Sequence, residues 1–131
     1  MYQRPGGNKV IETLFIEVTE KKQRYIVGSI YRPNSKHKSL SVSDQMDQFL
    51  EIFSLQLAHF SSLNIPLFVM GDFNLDLLKF NTNYNVKRYV DMFILLGLLK
   101  FITKPTRCTP NSASLIDHFY PTIFMIMNPE F

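Results

Sequence analysis

The spacing of hydrophobic positions changes along this chain, and each change of period marks an element. In "IETLFIEV" (11–18), Leu14, Ile16 and Val18 alternate with the polar Thr13 and Glu17, the two-residue period of a half-buried strand. The charged "TEKKQR" (19–24) separates it from "YIVGSIY" (25–31), and two such runs joined by a short polar turn are expected to pair antiparallel. "RPNSKHKS" (32–39) breaks the pattern with Pro33 and Asn34 and reads as an irregular loop. From Ser43, expected as an N-cap, the period becomes helical, with Met46, Phe49, Leu50, Phe53, Leu57 and Phe60 three or four residues apart until about Ser61–Asn64. "IPLFVM" (65–70) is a short buried strand, expected parallel to its predecessor because a long helix joins the two.

A second amphipathic helix, 84–97, is expected to bury Val86, Val90, Phe93 and Ile94 and to stop near Gly97. The polar stretch "TKPTRCTPNSAS" (103–114) reads as a loop, and "LIDHFY" (115–120) as the last strand. Strand, strand, helix, strand, helix, strand is an α/β order with one mixed sheet and flanking helices. Residues 1–10 read as a leader, and the apolar "PTIFMIMNPEF" (121–131) either packs on the body or marks where a longer sequence continues.

Composition narrows the class. A chain of 131 residues that is 46% hydrophobic with 12 Phe buries a single modest core and is not a disordered tail. Net charge +3 mildly favours a polyanionic partner. Cys108 is the only cysteine, so neither an internal disulfide nor a cysteine-based zinc site is possible. The start has no apolar signal-peptide core, and the longest apolar runs, such as "IFMIM" (123–127), fall far short of a bilayer span. The expectation is a soluble, intracellular protein with no membrane partner.

Three polar stretches sit at predicted strand ends: "YRPN" (31–34), "GDFN" (71–74) and "SLID" (114–117). Strand ends converging on one sheet edge are where α/β proteins collect their chemistry. Singly, each has a plain structural explanation. Asp72 and Asn74 two residues apart make a turn, Tyr31 is a boundary tyrosine, and Asp117, next to Ile116 and near Phe119, is either paired or functional. Other chemistries lack their motifs: no glycine-rich phosphate loop, no His-Glu-x-x-His, and no elbow glycines around Ser114, Asp117 and His118. His37 and His59 look incidental, and Lys104 and Arg107 near Thr106 read as a solvated loop before a phosphate contact.

Together, "YIVGSIYRPN", "IPLFVMGDFNLDLL" and "KPTRCTPNSASLIDHFY", in that order and at those separations, resemble the endonuclease/exonuclease/phosphatase superfamily. More narrowly they resemble the endonuclease domain of LINE-type (non-LTR) retrotransposons. The resemblance runs from Ile11 to Tyr120. It implies a DNase I-like four-layer α/β sandwich that hydrolyses phosphodiester bonds with Mg²⁺, and DNA as the partner that is nicked to prime reverse transcription. Carried over by position, Tyr31 resembles the tyrosine on the scissile phosphate. Asp72 resembles the aspartate that activates the attacking water, with a weaker claim as a metal ligand. Asn74 resembles the asparagine that holds the phosphate, and Asp117 the aspartate that orients a catalytic histidine. Thr109 and Ser114 fall where hydroxyl contacts to the DNA backbone occur.

Parts of the pattern are missing. The family's metal-binding glutamate lies well upstream of its tyrosine, whereas Glu12 stands only 19 residues before Tyr31. No Ser-Asp-His stretch supplies a catalytic histidine, and His118, adjacent to Asp117 on a strand, must face the other side of the sheet. The resemblance thus implies a partial domain over 11–131, without its N-terminal half and final strand. Such a chain is expected to be inactive, to hold Mg²⁺ weakly at best, and to leave one apolar sheet face uncovered. The alternatives are a non-catalytic nucleic-acid-binding or interaction remnant, or a phosphatase of the same superfamily. Oligomeric state is not legible.

Overall fold

The computed structural model describes residues 10–33 and 40–122. The leader before residue 10, most of the 32–39 loop with His37, and the tail from 123 lie outside the described residues. β1 (Glu12–Glu20) and β2 (Gln23–Tyr31) form the expected antiparallel pair. Helix α1 (Val42–Ser61) then leads to β3 (Leu67–Asp72), which pairs parallel to β2 as its long connection requires. α2 (Tyr84–Leu95) follows a single 3₁₀ turn at Leu77–Lys79, and a hairpin of β4 (Arg107–Thr109) and β5 (Ser112–Ser114) precedes β6 (Asp117–Pro121). β6 pairs antiparallel with β3, giving one mixed sheet in the order β1-β2-β3-β6. The α/β class with one mixed sheet and flanking helices is as expected.

Several boundaries differ from the sequence expectation. The N-cap of α1 is Ser41, not Ser43: its side chain accepts from the Asp44 N–H at 3.1 Å, and its extended backbone stops the helix there. β3 starts two residues late, after Pro66, which has no N–H for the ladder; the Pro66 carbonyl still accepts from Ile26 at 2.8 Å. The strand then continues through Asp72, so that aspartate stands on the strand end itself. The loop expected over 103–114 contains the β4–β5 hairpin.

Both helices pack on one face of the sheet. Met46, Phe49, Phe53 and Leu57 of α1, and Val86, Tyr89, Val90 and Phe93 of α2, are buried against Ile26, Ile30, Leu67, Val69 and Tyr120. Aromatic rings dominate this core; Phe93 stacks on Tyr120 with centroids 3.7 Å apart. Ile94, expected inside, is 51% exposed, and Tyr89 takes the buried position instead. Gly97, at φ +76°, ends the helix region.

The opposite face of the sheet carries Leu14, Ile16, Val27, Phe68, Met70 and Phe119, and Leu14 and Ile16 remain 46% and 49% exposed. An apolar sheet face this open is unusual for a monomer. Residues 99–101 run along the outer edge of β6, where the Leu99 and Phe101 N–H groups donate to Pro121 and Phe119. Among the described residues, no helix is long and apolar enough to cross a membrane.

Candidate active site

Register brings the expected residues together. In the β2–β3 ladder Tyr31 faces Asp72, and in the β3–β6 ladder Asp72 faces Asp117. Their neighbours Ile30 and His118 are buried under the helices, so strand alternation puts Tyr31, Asp72 and Asp117 on the open face. They form one row across three strands, with ladder spacing of about 4.8 Å per strand. Tyr31 is 46% exposed, and both aspartates are half-buried. Glu12 faces Tyr31 in the β1–β2 ladder and extends the same row, two strands away from Asp72.

Asn74 completes the corner by turning the chain immediately after the row. Its backbone is left-handed, at φ +49°, a conformation asparagine tolerates better than most residues. Its N–H donates to Asp72 Oδ1 at 3.1 Å, and its side-chain Nδ2 donates to the Arg32 carbonyl at 2.7 Å. "GDFN" is therefore an Asx turn as well as a candidate site. The turn fixes one carboxylate oxygen of Asp72 toward the backbone, and the carboxamide of Asn74 keeps a second N–H beyond the one used by Arg32.

Thr109 and Ser114 are not in the row. Both lie on the β4–β5 hairpin, where Thr109 Oγ1 is 2.6 Å from Ser112 Oγ and Ser114 pairs with Arg107. The hairpin is tied to the row through Thr106. The Thr106 N–H donates to the Ser114 carbonyl at 2.9 Å, and its hydroxyl accepts from the Ile116 and Asp117 N–H groups at 3.3 and 3.2 Å. Sequence reasoning missed Thr106, and also Asp76, whose Oδ1 accepts from Leu115 at 2.9 Å and Leu78 at 3.1 Å. These bonds fix the approach of β6 to the end of β3. The available signal was local: short polar side chains beside strand ends satisfy stray N–H groups.

His118 is 2% exposed and faces the core. Its Nε2 lies 2.9 Å from the Leu115 carbonyl and its Nδ1 lies 2.8 Å from the Tyr89 hydroxyl. A carbonyl only accepts, so Nε2 carries the hydrogen; burial favours the neutral ring, in which Nδ1 accepts from the Tyr89 hydroxyl. It stacks on Phe73 with centroids 5.0 Å apart and 7° between planes. Burial holds its pKa below the usual imidazole value, opposed by the hydrogen bond to the Leu115 carbonyl. Burial likewise pushes the Tyr89 hydroxyl far up, so it stays protonated.

The linkage has a definite sign. With the folded pKa depressed, the unfolded chain binds the proton first, so stability is full above the unfolded imidazole value and falls as pH drops through it. The unfolding free energy from urea titrations should therefore fall as pH drops from about 7.5 through the unfolded imidazole value near 6.5, with a slope of at most ~1.4 kcal/mol per pH unit. His118→Gln should remove that part of the fall.

A Mg²⁺ site is only partly provided for. Asp72 and Asp117 are opposed hard-oxygen donors, a pairing unfavourable for two like charges unless a cation or a hydrogen-bonding partner relieves it. Among the described residues, no group of three or more His, Cys, Asp or Glu side chains converges. The donor set fits a hydrated ion held by one or two carboxylates and does not form a closed cage.

Set beside solved structures, the chain shares its fold with beta toxin from Staphylococcus aureus: 14% identity, 84% of this chain and 42% of that one, TM-score 0.51. The human Nocturnin catalytic domain, solved with a bound sulfate anion, matches at 17% identity over 86% of this chain and 40% of that one, TM-score 0.51. A protein from Leptotrichia buccalis described as endonuclease/exonuclease/phosphatase family matches at 15% identity over 83% of this chain and 41% of that one, TM-score 0.46. The first two likenesses establish the DNase I-like α/β fold, and structures of the superfamily are among its neighbours. The chain spans less than half the length of each. No protein-family model matches the sequence, and no curated protein does.

Proposed function

We propose that this chain carries part of a phosphodiester-hydrolysing site of the endonuclease/exonuclease/phosphatase type, of the branch found in LINE-type retrotransposons, with DNA as partner in an intracellular setting. The observation that supports it is the row Tyr31–Asp72–Asp117 with Asn74 at its end. In this reading Asp72 takes a proton from the attacking water, while the Tyr31 hydroxyl and an Asn74 N–H donate to phosphoryl oxygens as negative charge builds. Asp72 would hold Mg²⁺ weakly, and the bound ion supplies charge neutralisation on the phosphate. Asp117 belongs to the row, but His118 is turned into the core and cannot be the histidine it would orient.

With no such histidine among the described residues and with an open metal site, the isolated chain is expected to be inactive. Purified protein with Mg²⁺ should leave supercoiled plasmid intact over the background of the buffer. Nicking that Asp72→Ala abolishes would overturn the inactivity, while supporting the assignment of Asp72.

A binding-only reading is favoured by the exposed Lys100, Lys104 and Arg107 on the segment and hairpin tied to the row by Thr106. It predicts salt-sensitive DNA affinity that survives Asp72→Ala, because phosphate contacts by lysine and arginine release counterions.

A further inference from the structure

Arg32 follows β2 directly, yet among the described residues its hydrogen bonds are made about 40 residues away in sequence. Its N–H donates to the Asp72 carbonyl at 2.9 Å, and its carbonyl accepts from Asn74 Nδ2 at 2.7 Å. Its guanidinium Nη1 donates to the carbonyls of Asn74 and Phe73, at 3.2 and 3.4 Å. The guanidinium also lies over the Phe49 ring, 5.4 Å from the centroid. Among the described residues, no carboxylate lies within ion-pair distance of it.

A half-buried cation facing carbonyls and an aromatic ring is costly unless those contacts are wanted. The carbonyls it meets are those of the turn that follows Asp72. The planar fork of arginine reaches two carbonyls at once, which a lysine ammonium on a flexible stem does poorly. Asn74 is left-handed at φ +49°, a conformation that the surroundings must hold.

From these contacts we infer that Arg32 is a positioning residue: its guanidinium holds the Phe73 and Asn74 carbonyls while its own carbonyl holds the Asn74 side chain, and together they fix the Asp72–Asn74 corner for a phosphate. The functional part of this inference rests on the phosphodiesterase reading; the clamp itself does not.

The test uses the whole chain, ¹⁵N-labelled, as wild type, Arg32→Met and Arg32→Lys. Arg32→Met removes the guanidinium bonds to the Asn74 and Phe73 carbonyls, so the turn should open more often and exchange at the Asn74 N–H, which is held by Asp72 Oδ1, should rise about tenfold, while the Val69 and Val27 amides change little. A short DNA duplex with Mg²⁺ should shift the Asn74 side-chain amide in wild type, and far less in Arg32→Met at an unchanged unfolding midpoint. A purely structural arginine would not separate those two readouts. Wild-type exchange and duplex response in Arg32→Met would overturn the clamp. If Arg32→Met fails to fold, Arg32→Lys decides: weakened protection at Asn74 supports the clamp, and full wild-type behaviour overturns it. If wild-type Asn74 ignores the duplex, the phosphodiesterase reading fails, and the exchange comparison still judges the clamp.

Discussion

Gly71→Ala should be the most destabilising single-methyl change in the sheet. Gly71 stands one residue before Asp72, at φ +154°, a backbone that residues with a Cβ rarely adopt. A Cβ built there would lie 1.8 Å from the Ile30 carbonyl oxygen and 2.7 Å from its carbon. Both obstructing atoms are backbone of β2, so no rotamer change relieves the clash. Relief requires β2 and β3 to separate at the point where Ile30, Gly71 and His118 are paired. The cost should exceed about 3 kcal/mol, a large share of a domain's total stability. Circular dichroism and urea unfolding would show it directly. Gly28→Ala is the control: its Cβ meets the Phe15 ring at 2.4 Å, and a ring can swing aside. A Gly71→Ala protein with a wild-type midpoint would mean that the strands do not approach as described.

Phe73→Ala should be nearly as damaging, for the opposite reason. Between Asp72 and Asn74 the chain turns Phe73 fully into the core, where it stacks on His118 and meets Phe53 and Tyr89 with centroids 5.7 and 5.3 Å away. Emptying that position should cost roughly 3–5 kcal/mol, and Phe73→Leu about 1.5 kcal/mol or less. The two variants, compared by urea midpoint at constant slope, separate lost packing from altered unfolding. Equal midpoints would show that the ring is not the anchor of the turn. One residue thus links core and site: the polar side chains on either side of Phe73 are positioned because it is buried.

The elements with strong period were legible in the sequence. Alternation in 11–18 and 25–31, and the apolar stripe from Met46 to Phe60, gave β1, β2 and α1, and the long connection gave the parallel β2–β3 pairing. The strand ends gave Tyr31, Asp72 and Asp117, because polar residues that interrupt apolar runs stand out. That they share one row is a matter of register, which depends on pairings between distant segments. The β4–β5 hairpin was not legible, because its six strand residues are mostly exposed and carry no apolar alternation. Tyr89 lies on the buried stripe, three residues after Val86 and four before Phe93, and was missed because its hydroxyl needs a buried partner, which it finds in His118. Arg32 stands in the "YRPN" stretch with no role of its own in the sequence; only the fold brings Asn74 to it.

The central claim is that the row and the corner receive a phosphodiester. The most direct measurement is a titration of the ¹⁵N-labelled chain with a short DNA duplex in Mg²⁺, followed by amide shifts at low and at moderate salt. The amides of Tyr31, Asp72, Asn74 and Asp117 are expected to shift together, at the lowest duplex concentrations that move any signal. Shifts confined to Lys100, Lys104 and Arg107, with Asp72 and Asn74 unmoved throughout, would contradict it.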